Sequence, residues 1–176
     1  YARRVFENFG MYLVDFLRFE KITKEYIDTC IDKEGFEYLD ALVQKKTGAI
    51  LLTAHVGNWE LGGVHLALSG YPVCAVALGH ADKKVNDFFV RQRIAKGLEV
   101  ISLSECPGKA VAWLREHKFF AILGDRSFGA DTTEISFFSR PCMFPRGPAV
   151  LALRTGLPIV PGFLIRKNKY HYRFTF

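Results

Sequence analysis

The chain has 176 residues, enough for one domain that buries roughly 70% of the surface its unfolded form exposes. Hydrophobic residues make up 49% and Phe alone occurs 16 times, yet no apolar run approaches the ~20 residues of a membrane-spanning helix, so these residues are not read as crossing a bilayer. The formal charge of +6 favours contact with phospholipid headgroups, a phosphorylated substrate, an acidic carrier protein or nucleic acid, and nucleic acid is set aside because zinc-finger spacing and an RNP-like aromatic motif are both missing.

The first residue is Tyr1, and the last, Phe176, stands inside an alternating stretch that reads as a strand. Both ends are therefore expected to be cuts, with any leader or anchor helix outside the window. Cys30, Cys74, Cys106 and Cys142 are widely spaced, without a C-x-x-C pair, and read as reduced thiols.

In chain order, residues 2–19 place Ala2, Val5, Phe6, Phe9, Tyr12, Leu13, Phe16 and Leu17 at the three-and-four spacing of an amphipathic helix. Its wide apolar stripe either packs on the domain or touches a membrane. Helical stretches at 24–31 and 36–46 complete a helical lead-in over 1–47. From residue 48 short apolar runs (49–54, 73–77, 99–102, 119–123, 159–165) alternate with amphipathic segments (58–69, 82–96, 107–118, 147–155). That alternation predicts a single α/β unit over 48–176, a mixed but mostly parallel sheet flanked by helices. Residues 135–138 and 170–176 are expected to add strands that need not be parallel.

The segment richest in chemistry runs from Ile50 to Gly63, where a buried strand ends at His55, a turn follows and a helix begins. Ligands of open α/β sheets collect at the carboxyl ends of strands. His55 and Glu60 stand about 140° apart on a continuous helix and on opposite faces of a strand, so they meet only if the chain turns between them. Gly57 supplies backbone freedom, Asn58 is a good helix cap, and Glu60 falls in the first helical turn. The expectation is a hydrogen bond from the imidazole to the Glu60 carboxylate, which holds His55 as a general base. With no G-x-S-x-G elbow and no Cys beside this His, the proton taken is expected to be that of a substrate hydroxyl. A metal site through His55, Glu60, His65 and His80 fails on spacing.

The stretch His55-Val56-Gly57-Asn58-Trp59-Glu60-Leu61-Gly62-Gly63 resembles the H-x4-D/E block of lysophospholipid-type acyltransferases, most closely the late acyltransferases of lipid A biosynthesis. Three further blocks carry the resemblance: Asn86 to Arg93 with Gly97; Leu123-Gly124-Asp125-Arg126, where the family often has Asp-Gln; and Phe138-Ser139-Arg140-Pro141 through Pro145-Arg146-Gly147-Pro148-Ala149 to Pro161. The resemblance covers essentially the whole window, as the central portion of a longer chain, and implies a glycerol-phosphate-acyltransferase-like fold.

It further implies transfer of a fatty acyl group from a thioester to a glycolipid hydroxyl, in lipid A and lipopolysaccharide biosynthesis at the cytoplasmic face of a bacterial inner membrane. His55 and Glu60 would be catalytic. Asn58, Arg93, Asp125 and Arg146 would bind substrate, Asp125 either holding the acceptor sugar or ordering the His55 loop. No metal or cofactor is implied. The co-substrate is acyl carrier protein or acyl-CoA, and the expected partners are that carrier, an anionic lipid acceptor and the membrane surface. The rival readings are a glycerophosphate or lysophospholipid acyltransferase using acyl-CoA, and a non-catalytic lipid-binding homologue.

Overall fold

The computed structural model describes residues 1–127 and 131–176. Three helices lead in: α1 (Ala2–Leu17), α2 (Lys24–Cys30) and α3 (Phe36–Gln44), with a 3-10 turn at Phe19–Lys21. Strand and helix then alternate as expected: β2 (Ala49–Thr53), α4 (Trp59–Leu68), β3 (Val73–Ala77), α5 (Lys83–Ile94), β4 (Glu99–Ser102), α6 (Cys106–Arg115), β5 (Phe119–Leu123), α7 (Gly147–Thr155) and β8 (Ile159–Pro161). These five strands form one sheet in the order β4-β3-β5-β2-β8, and every pair in it is parallel. Among the described residues no helix is long and apolar enough to cross a membrane.

Parallel strands buried on both faces carry near-continuous apolar side chains, and here alternate residues go to two different cores. Leu51, Val73 and Phe119 pack with Leu61 and Val64 of α4 and Phe16 of α1. Ile50, Cys74, Ile101 and Phe120 pack with Cys106, Ala110 and Leu114 of α6 and Leu151 of α7. The exits of β2 and β3 therefore lead to one face of the sheet, while that of β5, which lies between them, leads to the other. The loops part above β5 and open a crevice there, the place where open α/β sheets bind ligands.

Elsewhere the strands depart from expectation. The run 159–165 is split at Gly162, where the chain leaves β8 and starts β9 (Phe163–Arg166) in a second sheet of order β1-β10-β9. A Cβ at Gly162 would collide with the Phe176 ring as it stands, so glycine lets the chain cross there without displacing it. Strand β1 (Ile31–Glu34), read as a connection, pairs in parallel with β10 (Tyr172–Thr175); its Asp-Lys-Glu sequence carries no strand pattern, and the long-range pairing alone makes it one. A third unit is the hairpin of β6 (Thr132–Phe137) and β7 (Arg140–Pro145). Pro141 and Pro145 disguise β7, but both alternate with Arg140, the residue closing the two-residue turn, so their missing N–H groups fall at outward-facing positions.

Candidate active site

His55 lies two residues beyond β2, and Asp125 lies two residues beyond β5. The two strands are neighbours, with Thr53 opposite Leu123, and the Gly124 amide continues the ladder to the Thr53 carbonyl at 2.9 Å. Register alone therefore brings the next residues together. Asp125 Oδ1 is 2.9 Å from His55 Nδ1, and its Oδ2 accepts the His55 backbone N–H at 3.0 Å. The two-point grip fixes both the ring and the backbone that carries it. Nε2 makes no hydrogen bond among the described residues. Burial raises the Asp125 carboxyl, and the hydrogen bonds from His55 outweigh that cost, leaving it below its ordinary value.

The loop after His55 is formed as expected. Gly57 has φ of +71° and the Leu164 carbonyl of β9 lies where its Cβ would be, so a side chain there is excluded on both counts. The Asn58 amide donates to that carbonyl at 2.9 Å. Asn58 Oδ1 caps α4 by accepting from the Leu61 amide at 3.1 Å. Its Nδ2 donates to Asp15 of α1 at 2.8 Å, and the same carboxylate takes Arg166 and Tyr172. The His55 loop is thus tied to α1 and to the second sheet. The Trp59 ring meets the imidazole edge-on at 4.9 Å and stacks on Tyr12 at 4.7 Å.

Glu60 corrects the expected contact. It does not hold His55; its carboxylate is bound by Arg93 of α5, Nε to Oε2 at 2.8 Å and Nη2 to Oε1 at 2.5 Å. Position in the first turn of α4 aims Glu60 inward toward α5, so the bend that was to join it to His55 sends the two apart. Arg93 is buried between the Phe16 and Phe89 rings, at 5.8 and 5.7 Å from their centroids, while Arg91 is exposed. Burial works against the Arg93 charge, and the hydrogen bonds it donates to Glu60 outweigh that, holding its pKa above the ordinary value. Both residues border a small interior void of about 70 Å³. Arg93, expected at a substrate, is taken up by Glu60.

His55 borders a separate cavity of about 500 Å³. Its walls include Val76, Leu78, Leu103, Ile122 and Leu151, with Arg126 and Arg154 also lining it. Arg146 stands at the start of α7, exposed and 3.5 Å from Asp131. Ordering of the His55 loop was one of the two roles expected of Asp125, and its grip on the His55 amide bears that out; its bond to the imidazole and the place of Arg154 escaped motif reading. For the bond to the imidazole, a signal existed: both residues sit within two positions of the ends of apolar runs. The neighbour relation of β2 and β5, which are separated in sequence by β3 and β4, was the missing fact.

The chain is 29% identical over 161 residues to a phosphatidylinositol mannoside acyltransferase of Mycobacterium tuberculosis, covering 88% of this chain and 51% of the relative. The protein of the same name from Mycolicibacterium smegmatis is 27% identical over 135 residues, covering 74% and 44%. The chain thus spans about half the length of the curated relatives it matches. The profile of the bacterial lipid A biosynthesis acyltransferases matches residues 2–176, and with the match running through the whole fold described above, the chain belongs to that family.

Proposed function

We propose that the protein transfers a fatty acyl group from a thioester to a hydroxyl of a glycolipid, with His55 as general base and Asp125 as the group that orients it. The observation that carries this reading is the 2.9 Å contact between His55 Nδ1 and Asp125 at the edge of a largely apolar cavity. A carboxylate on one imidazole nitrogen selects the tautomer whose other nitrogen accepts a proton, and it stabilises the imidazolium that results.

In the proposed step the acceptor oxygen attacks the thioester carbonyl as His55 Nε2 takes the hydroxyl proton. The tetrahedral intermediate collapses with breakage of the carbon–sulfur bond. The imidazolium returns its proton to the departing thiolate, so an ester and a thiol leave and His55 is neutral again. The apolar cavity suits the acyl chain, since each buried methylene contributes about 0.8 kcal/mol; ten would hold the donor by about 8 kcal/mol.

The acceptor we infer is a glycolipid, lipid A precursor-like by family, with mannosylated phosphatidylinositol suggested by the names of the curated relatives. Acyl carrier protein or CoA carries the acyl group, and the reaction takes place at the cytoplasmic face of the inner membrane. The test is mass spectrometry of lipid products after the full-length protein is offered both donors and several membrane lipids. A new ester on a glycolipid is expected, absent with His55→Ala and strongly reduced with Asp125→Asn. Full activity in a folded His55→Ala protein would rule out the assignment.

A further inference from the structure

Two arginines line the His55 cavity from different elements. Arg126 follows Asp125 directly at the end of β5, and Arg154 comes from the last turn of α7. The acids nearby are already engaged. Asp125 is held by His55, and Asp131, which also borders the cavity, pairs with Arg146 at 3.5 Å. Among the described residues no carboxylate lies within ion-pair distance of Arg126 or Arg154, and both are exposed. An acyl chain explains the apolar walls but leaves two positive groups beside them without a use.

We propose that Arg126 and Arg154 together form a binding site for a phosphate group carried by one of the two substrates, beside the reacting atoms at His55. The proposal rests on the acyl-transfer reading of the same cavity. Guanidinium presents paired N–H donors in a planar fork that matches phosphate oxygens. A cleft with low-dielectric walls and charge of one sign also concentrates ligands of the opposite sign. Phosphate is the anion common to both sides of the proposed reaction. It occurs in the phosphopantetheine arm of thioester carriers and in the phosphodiester of glycosylated phospholipids. Arg146, expected from the sequence to bind substrate, is the weaker candidate because Asp131 already pairs with it.

The test reads binding rather than turnover, in the full-length protein, with two matched pairs of probes. The donor pair is a thioether analogue of acyl-CoA and a thioether analogue of acyl-pantetheine, with the same chain and the phosphates removed. The acceptor pair is a phosphatidylinositol mannoside and a neutral glycosyl diacylglycerol, both in neutral detergent micelles. In the wild type one pair is expected to favour its phosphate-bearing member. In the Arg126→Gln/Arg154→Gln variant that preference should shrink by about ten- to a hundredfold, the range for losing charge-assisted hydrogen bonds. Arg126→Lys/Arg154→Lys should recover part of it.

Loss in the donor pair assigns the phosphate to the thioester carrier, and loss in the acceptor pair assigns it to the lipid. A wild type with no preference in either pair, or a double variant with its preference intact, overturns the proposal. Because no turnover is needed, these ratios stand apart from the fate of the His55→Ala enzyme. Activity kept by that variant sinks the base assignment alone.

Discussion

His55 and Glu60 stand five residues apart in the chain, and the two acid–base couples they belong to do opposite work. His55 and Asp125 meet at the rim of a cavity, with side chains 22% and 29% exposed, and one imidazole nitrogen is left without a partner among the described residues. Glu60 and Arg93 meet in the interior, with side chains 10% and 11% exposed, and the two Glu60 oxygens are both consumed by the guanidinium. The first couple retains capacity for a substrate. The second spends its capacity on joining α4 to α5. Residues that share a short motif need not share a site, because the turn that separates them also chooses which layer each one enters.

The sharpest way to break this comparison is kinetic. His55→Ala should lower turnover by about a hundred- to ten-thousandfold, while the midpoint of thermal unfolding moves little because the ring is partly exposed. A large stability loss with unchanged specific activity would reverse the roles of the two couples. Next in size, Glu60→Ala should cost about 3–5 kcal/mol in denaturant unfolding, the penalty for leaving Arg93 charged and buried alone. Glu60→Leu/Arg93→Met removes both charges and should restore most of that stability. A doubly substituted protein that regains its fold and not its turnover would return Glu60 or Arg93 to the chemistry.

A third prediction sharpens the contrast with a histidine that lacks any carboxylate. His65 of α4 is fully buried between Phe36 and Phe174, with both ring nitrogens unpartnered, and burial pushes its pKa from 6.5 down to about 4. Between those values the unfolded chain takes up a proton that the folded one refuses. The stabilisation is therefore complete above pH 6.5 and is lost as the pH falls toward 4, by about 3 kcal/mol. Unfolding free energies across that range should flatten in His65→Phe. The depressed Asp125 carboxyl acts with the same sign at lower pH. Smallest is Asn58→Ala, which removes the cap of α4 and one donor to Asp15 and should cost about 0.5–2 kcal/mol in thermal unfolding.

Much of this was legible in advance. The strand and helix order from Ala49 to Pro161 follows from apolar runs alternating with amphipathic segments, and the turn at Gly57 and the cap at Asn58 follow from backbone chemistry that acts over four residues. The same local logic makes α1 amphipathic. Its Tyr12 and Phe16 are buried, and Val5, Phe6, Phe9 and Leu17 remain exposed, so its packing accounts for only part of the stripe.

Strand β1 and the split at Gly162 were hidden for nonlocal reasons, and the turn of the hairpin because its own two residues are not those the conformation favours. In that turn Phe138 and Ser139 take φ of 50° and 61°, where Asn-Gly would have announced it.

What the sequence determined by itself was that His55 sits at a strand terminus on a glycine-relieved, asparagine-capped bend, since those features depend on a few adjacent residues. Which acid would reach His55 was decided only in the tertiary structure. Glu60 is five residues away and Asp125 seventy, but strand order and register act over the whole sheet, and they set β5, not the first turn of α4, beside the imidazole.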